Sequence, residues 1–232
     1  IKNSLSLDYP KDKLEIVVAS DGSTDGTDEI LRKYEGRGIK VNYFHPRSGK
    51  ISVLNRTVPE VKSEIVVFSD ANAMYHPEAV KKLVSNFNDK SVGVVSGRVI
   101  LKGGHESLKH FESLYSKYEW FIQRKESEFN SMLSADGAMF AIRRELFTPP
   151  PDDTILDDLV IPMSVIRAGY RAVFEPEAIG YERGTSSLRG EFNRRVRLAA
   201  GAVQAVLRGN GLPGNRQVRL WFQFFSHKLL RW

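Results

Sequence analysis

The sequence predicts an α/β fold, a mostly parallel sheet flanked by helices, and two stretches carry that expectation. Leu14 to Ser20 and Ser63 to Ser69 are short, nearly continuous apolar runs, and each stops at an aspartate, Asp21 or Asp70. Val/Ile runs without alternation suit strands buried on both faces, as in a parallel sheet under helices. In such sheets ligands sit beyond the carboxyl ends of the strands, which is where Asp21 and Asp70 would lie. Two carboxylates at one sheet edge repel a phosphate unless something positive stands between them. The simplest candidate is a divalent cation carrying a nucleotide diphosphate.

The remaining elements follow in order. Ile1 to Leu7 reads as the tail of a helix ended by Asp8-Tyr9-Pro10. Gly22 supplies a tight turn after the first strand, and Ser23 or Thr24 can cap a helix running to about Tyr34. Ile39 to His45 is a second strand. Gly49-Lys50 then opens a helix over Ile51 to Arg56; it resembles part of a phosphate loop, although the full spacing is absent. Lys50 gains weight because it lies between the two aspartate motifs.

Asp70-Ala71-Asn72 forms a turn whose first and third residues can point at one ion. Pro77 opens a helix to about Phe87, and Ser91 to Leu101 is a further strand. Glu106 to Phe129 is strongly helical, and Leu108, Phe111, Leu114, Tyr115, Tyr118, Phe121 and Ile122 at three- and four-residue spacing are expected in the core. Glu112, Glu119, Glu126 and Glu128 mostly read as its solvated face, with contact of one of them to a substrate as the alternative. At Asp136-Gly137 an aspartate again meets a glycine beside an apolar run, Ala138 to Ile142. Asp157-Asp158 opens a helix, Leu159 to Ala168, where acids in the first turn also suit the dipole. Arg171 to Phe174 is a short strand before a turn at Glu175-Pro176-Glu177. Leu188 to Leu207 is a basic helix, and Val218 to Trp232 interleaves aromatics with Arg219, Lys228 and Arg231, a composition that suits a helix at a membrane interface.

The totals bound the function. With 232 residues and 41% hydrophobic content, one large α/β domain can bury a core. The absence of cysteine excludes a disulfide framework and cysteine–zinc sites. No signal peptide is visible, and no apolar run reaches the ~18 residues of a membrane span. Charge is uneven: Arg183 to Trp232 carries ten Lys/Arg against Glu191 alone, +9, which leaves the preceding residues at −3 within the total of +6. Such a block points to phosphate groups of a ligand, a membrane or a nucleic acid. The membrane reading is preferred to nucleic acid because bases and aromatics concentrate in one amphipathic segment.

Four ordered signals, Asp21-Gly22-Ser23-Thr24-Asp25 after a strand, Asp70-Ala71-Asn72, Asp157-Asp158-Leu159 and Arg194-Arg195-Val196-Arg197-Leu198, resemble those of family 2 glycosyltransferases, in particular the membrane-bound cellulose-synthase-like branch. The resemblance covers nearly the whole chain and implies a GT-A-like fold. It implies that Asp21 contacts the nucleotide base, that Asp70 contacts the nucleotide sugar, and that Asp70 and Asn72 hold Mg²⁺ or Mn²⁺. By the same resemblance Asp136, with Gly137, faces the donor sugar or the acceptor, and Arg194 and Arg197 hold the diphosphate. Asp158 matches the general base, with Asp157 as its support or the alternative base. Lys50 is assigned to the substrate from its position between the motifs.

Two positions depart from the family pattern. Asn72 stands where aspartate is common and brings less charge to a cation. Leu198 stands where processive polymer synthases carry tryptophan, and leucine does not stack on a sugar. The family's first strand and first nucleotide loop are not seen, so the expected organisation is an N-terminally incomplete catalytic domain, 1–210, and a membrane-proximal amphipathic segment, 211–232, without its transmembrane helices. The expected activity is inverting transfer from a nucleotide-diphosphate sugar to a carbohydrate or lipid-linked acceptor hydroxyl, at a membrane, with the catalytic domain on the cytoplasmic face. A non-catalytic nucleotide-sugar or carbohydrate-binding module of the same fold is the rival.

Overall fold

The computed structural model describes residues 1–103, 106–184 and 187–229, with the side chains of 106–113 and of Leu229 outside the description. The expected stripe members Leu108 and Phe111, Glu112, and Leu230, Arg231 and Trp232 of the terminal segment therefore lie outside it.

The chain alternates strands and helices, in keeping with the α/β expectation. The elements run α1 (Lys2–Leu5), β1 (Val17–Asp21), α2 (Thr27–Arg32), β2 (Lys40–Phe44), α3 (Lys50–Thr57), β3 (Ile65–Ser69), β4 (Met74–Tyr75), α4 (Ala79–Ser85) and β5 (Val92–Lys102). They continue with α5 (Glu106–Phe129), β6 (Met139–Arg143), α6 (Asp157–Arg167), β7 (Arg171–Arg183), α7 (Leu188–Leu207) and α8 (Val218–Gln223), which passes into a π-helical stretch, Phe224–Leu229.

The pairing is mixed rather than mostly parallel. β1 and β2 pair in parallel, and a five-stranded sheet has the order β3-β6-β5-β7-β4. Within it β5 and β7 are parallel, whereas β3–β6, β5–β6 and β4–β7 are antiparallel. The connections alone do not set direction: α5 lies between β5 and β6, yet β6 enters from the turn at Asp136 antiparallel to β5, while β4 follows β3 directly through the turn at Asp70 with no crossover helix.

Both faces of the large sheet are buried, which explains its unbroken apolar strands. Val94, Phe140 and Ile142 face one core with Leu159, Val160, Met163 and Phe224, and Phe68 stacks on Phe140 with centroids 4.5 Å apart. Val95, Met139 and Ala141 face a second core under Val80 and Leu83 of α4. β1 differs from its expectation: only Ser20 in it is buried.

Three further expectations change. β7 does not stop at Phe174; a register shift opposite Gly97 and Arg98 absorbs Glu175-Pro176-Glu177, and the strand runs on to Arg183. Ser23 and Thr24 do not cap α2, whose N-cap is Gly26 at φ +82°. Most important, the aromatic stripe of α5 is outside: Leu114, Tyr115, Tyr118 and Phe121 are more than half exposed. The buried face of α5 is polar instead, with Gln123, Glu126 and Ser127. Two of these are bonded: Ser127 Oγ accepts from Phe174 N (2.8 Å), and Glu126 Oε1 meets His227 Nδ1 (2.8 Å).

Candidate active site

The first strand ends where a loop closes over it. Asp21 Oδ1 accepts from Ser48 N and Oδ2 from Gly49 N, both at 2.7 Å, with Ser48 Oγ at 3.3 Å. Burial alone would raise its pKa, but the Ser48 and Gly49 amides and the Ser48 hydroxyl outweigh it and hold the carboxyl below its ordinary value. Gly22 is needed here: its φ is +62°, and a Cβ would stand 2.9 Å from Arg47 N. Ser20, buried behind Asp21, donates to Asp28 Oδ1 at 2.5 Å and fastens the turn from within.

That loop delivers Lys50 to the next motif. Lys50 Nζ lies 2.9 Å from Asp70 Oδ1 at the end of β3 and 3.0 Å from Asp157 Oδ2 at the start of α6. Desolvation pulls the ammonium's pKa down; Asp157 and Asp70 push it up further, so the net shift is upward. One cation therefore ties the Asp21 loop, the Asp70 turn and the Asp157-Asp158 helix together.

The turn before β6 closes the site from the other side. Asp136 N donates to Ser96 Oγ (2.8 Å), and the Asp136 carboxylate accepts from Ala138 N (3.0 Å). Burial raises Asp136 to about 7 against the Ala138 amide that lowers it, with Asp158, Glu182 and Asp70 adding repulsion. Ala135 N donates to Asp158 O at 2.8 Å, which holds this turn to the first turn of α6. A side chain at Gly137 would stand 3.5 Å from Asp158 Oδ2, so the glycine leaves that carboxylate uncovered. Asp158 is raised to about 6, chiefly by burial and then by Asp157; Lys228 and Lys50 oppose the shift.

The structure thus brings Asp21, at the end of β1 in the small sheet, and Lys50, Asp70, Asp136, Gly137, Asp157 and Asp158 into one chain of contacts. Arg194 and Arg197 are less directly placed. Arg194 forks onto buried Glu191 of its own helix through Nε (2.8 Å) and Nη2 (3.0 Å), and Arg197 is exposed. Their helix α7 does border the site. Gly201 packs against Ile155 and Leu156, where a Cβ would come within 2.6 Å of Leu156 Cγ, and Gln204 Oε1 accepts from Ile155 N (3.0 Å). Leu198, at the departure position, packs against the core.

Glu182 was not legible in the sequence. Asn72 Nδ2 donates to its Oε1 at 2.9 Å. The pairing exists only because β7 runs past Phe174, and no local pattern marks that continuation. Asp70, Asn72 and Glu182 offer the hard oxygen donors that Mg²⁺ or Mn²⁺ prefers. Among the described residues no group of three or more His, Cys, Asp or Glu forms a closed metal cluster. A cation held by one or two side chains and completed by phosphate oxygens and water needs none, so the residues present fit such an ion.

Comparison with known proteins bears on the family and the fold. The family model described as Glycosyl transferase family 2 matches residues 1–148. A Bacillus subtilis protein named "Probable glycosyltransferase YdaM" is 28% identical over 219 residues, 90% of this chain and 52% of its own. The poly-beta-1,6-N-acetyl-D-glucosamine synthase of Staphylococcus aureus is 24% identical over 214 residues, again 90% and 52%. The chain thus spans about half the length of these relatives. Among solved structures, the mannosyltransferase PcManGT of Pyrobaculum calidifontis, in complex with GDP-Man and Mn²⁺, superposes with a TM-score of 0.74 at 27% identity, covering 90% of this chain and 58% of that one. S. aureus TarS 1–349 with UDP shares the fold at TM-score 0.58 and 22% identity, covering 88% and 60%.

The raised Asp158 gives a pH signature. Its proton is held more tightly folded than unfolded, so its contribution to stability is complete below the ordinary carboxylate range and is lost as pH rises through about 6. Asp158→Asn, neutral throughout, should gain on the parent between pH 4 and 7, by on the order of 2 kcal/mol. Urea unfolding of both proteins across that range measures it; parallel curves would refute the burial of this charge.

Proposed function

The chain belongs to glycosyl transferase family 2, and from that premise we propose that it catalyses inverting transfer of a hexosyl group from a nucleotide-diphosphate sugar to an acceptor hydroxyl at a membrane surface, in polysaccharide or glycolipid synthesis. The observation that carries the proposal is the placement of the half-buried Asp158 carboxyl against Gly137 and the Asp136 turn, where a Cβ at Gly137 would stand 3.5 Å from Asp158 Oδ2 and Ala135 N donates to Asp158 O at 2.8 Å; that setting pushes its pKa up to about 6. A hydroxyl is a weak nucleophile, and a base whose pKa approaches the working pH accepts its proton better than an ordinary aspartate.

In the proposed step the acceptor O–H gives its proton to Asp158 as its oxygen bonds to the anomeric carbon. The bond to the diphosphate breaks, and the electron pair leaves with the phosphate. Asp157 and Lys50 orient the first turn of α6, and Asp21 receives the nucleotide base. Asp136 stands at the donor-sugar or acceptor end. A divalent cation at Asp70 and Asn72 would neutralise charge on the leaving diphosphate. Arg194 and Arg197 belong to the same role, which asks Arg194 to exchange Glu191 for phosphate.

The donor complexes of PcManGT support a nucleotide-diphosphate sugar and Mn²⁺, and the S. aureus synthase supports a carbohydrate acceptor. Leu198 argues against processive synthesis. Asn72 favours the rival, a non-catalytic nucleotide-sugar or carbohydrate-binding module, because it weakens the cation site.

The membrane part of the proposal rests on a shelf formed by two helices. Leu114, Tyr118, Phe121 and Phe129 recur along one side of α5, Val218, Phe222 and Phe225 along α8 and its π-helical continuation, and all are more than half exposed. Arg219 lies over the Phe129 ring at 5.7 Å and joins the two rows. From Phe192 to Trp232 there is no acid, which suits anionic headgroups. Among the described residues no helix is long and apolar enough to cross a membrane. Within this proposal 211–232 is the membrane-proximal segment and 1–210 the catalytic domain, on the cytoplasmic face. Leu220 and Phe224 root the segment in the main core.

Asp158→Asn should lower transfer at least 10²-fold and leave binding of the nucleoside diphosphate unchanged. Equal turnover by parent and variant would remove Asp158 from the chemistry, whereas donor binding without transfer or hydrolysis by the parent would favour the rival. On sedimentation with vesicles, the chain should bind those containing phosphatidylglycerol and not neutral ones. Phe222→Glu with Phe225→Glu should abolish that binding; retention would exclude the shelf.

A further inference from the structure

The C-terminal helix has no part in the chemistry above, yet its inner face leads to the base. Residues 218–229 lie in a trough between α5 and α6. At one end Gln217 Nε2 donates to Ile166 O near the end of α6 (2.8 Å), and Arg219 covers Phe129 at the end of α5. At the other end His227 Nδ1 meets Glu126 at 2.8 Å and His227 Nε2 meets Glu119 at 3.3 Å, both earlier on α5. Between the ends, Leu220 and Phe224 share a core with Leu159, Val160 and Met163 of α6. α8 with its π-helical continuation is therefore antiparallel to both neighbours.

Ile166 back to Asp158 is ~12 Å of helix axis, and Gln217 on to Lys228, partly through the π-helical stretch of smaller rise, is at most ~16 Å, so the run reaches the level of the first turn of α6 or slightly beyond it. Lys228 accordingly arrives beside the first turn of α6. Its side chain is only 4% exposed, with Nζ 3.6 Å from Glu119 Oε1. A buried ammonium is stable only among carboxylates. The sequence marks Lys228 as one more base in an amphipathic segment; the structure turns it inward, away from the outward-facing Phe222 and Phe225.

We propose that Lys228 is a positioning residue for Asp158: pinned by Glu119, its ammonium holds the Asp158 carboxylate in place at the first turn of α6, so the C-terminal helix completes the site. The inference rests on the reading of Asp158 as the base. Among the described residues the charged groups around that carboxyl are Asp157 on its own helix, Lys50 from α3, Asp136 from the turn before β6, and Lys228 from the C-terminal helix with Glu119 of α5 behind it. Of these Asp157 opposes ionisation, while Lys228 and Lys50 favour it.

The test is a carbon-13 NMR titration of the Asp158 carboxyl in the whole chain, which reads the site whether or not sugar is transferred. Lys228→Met should raise the midpoint by roughly one pH unit, and Lys228→Arg, which keeps the charge, should restore most of the shift. If the Met variant does not fold, the reciprocal measurement decides. Asp158→Asn should then lower the Lys228 Nζ midpoint, because coupling between two sites runs both ways. A midpoint that stays put in either experiment, with only the melting temperature reduced, means that Lys228 merely packs and overturns the inference. Where transfer is measurable, the acid limb of kcat/KM should move with the Asp158 midpoint. Midpoints that move in a chain that transfers nothing would leave this inference standing and sink the proposed function.

Discussion

The ammonium of Lys50 is the constraint on which the site depends. Its partners come from distant parts of the chain, Asp70 from the end of β3 and Asp157 from the start of α6. The loop that delivers it also supplies the amides that hold Asp21. Without that cation, Asp70 and the Asp157-Asp158 pair would face one another across the sheet edge with their repulsion unrelieved. With it, three strand and helix termini share one electrostatic centre. Lys50 is about half exposed, so its value lies more in fixing geometry than in net stabilisation.

The carboxylates themselves divide into two kinds. Asp21 is satisfied by backbone amides and held low, as suits a group that remains an acceptor at any working pH. Asp136 and Asp158 are half-buried near like charges and raised toward neutrality. Groups whose surroundings push their proton affinities apart are able to play different parts in one reaction. The turn at Asp136 and the first turn of α6 are hydrogen-bonded to each other through Ala135 N and Asp158 O, which fixes the two raised carboxyls relative to one another.

Much of the site was legible in the sequence because its residues sit where local patterns change. Asp21 and Asp70 end apolar runs, Asp136-Gly137 precedes one, and Asp157-Asp158 opens a helix. Each boundary is written in neighbouring residues. What was not legible depends on tertiary partners. The apolar stripe of α5 was expected inside and lies outside. The helix buries Gln123, Glu126 and Ser127 instead, and β7 and the C-terminal helix bring the groups that bond Ser127 and Glu126. Glu182 is found only once β7 is known to continue through Glu175-Pro176-Glu177. Parallel pairing was inferred from buried runs, but burial on both faces does not set strand direction, and β6 shows it. The inward turn of Lys228 is likewise invisible to a composition that reads the same segment as an interfacial helix.

The central claim is that these acids and Lys50 surround one nucleotide-sugar site. A crystal structure of the chain with a nucleoside diphosphate and Mn²⁺ tests it most directly. The account predicts the base against Asp21, the metal on Asp70 and Asn72, and the diphosphate facing the first turn of α6 with room for a sugar before Asp158. A diphosphate bound away from the Asp70 turn, or with Asp158 sealed off from it by protein, would contradict the account.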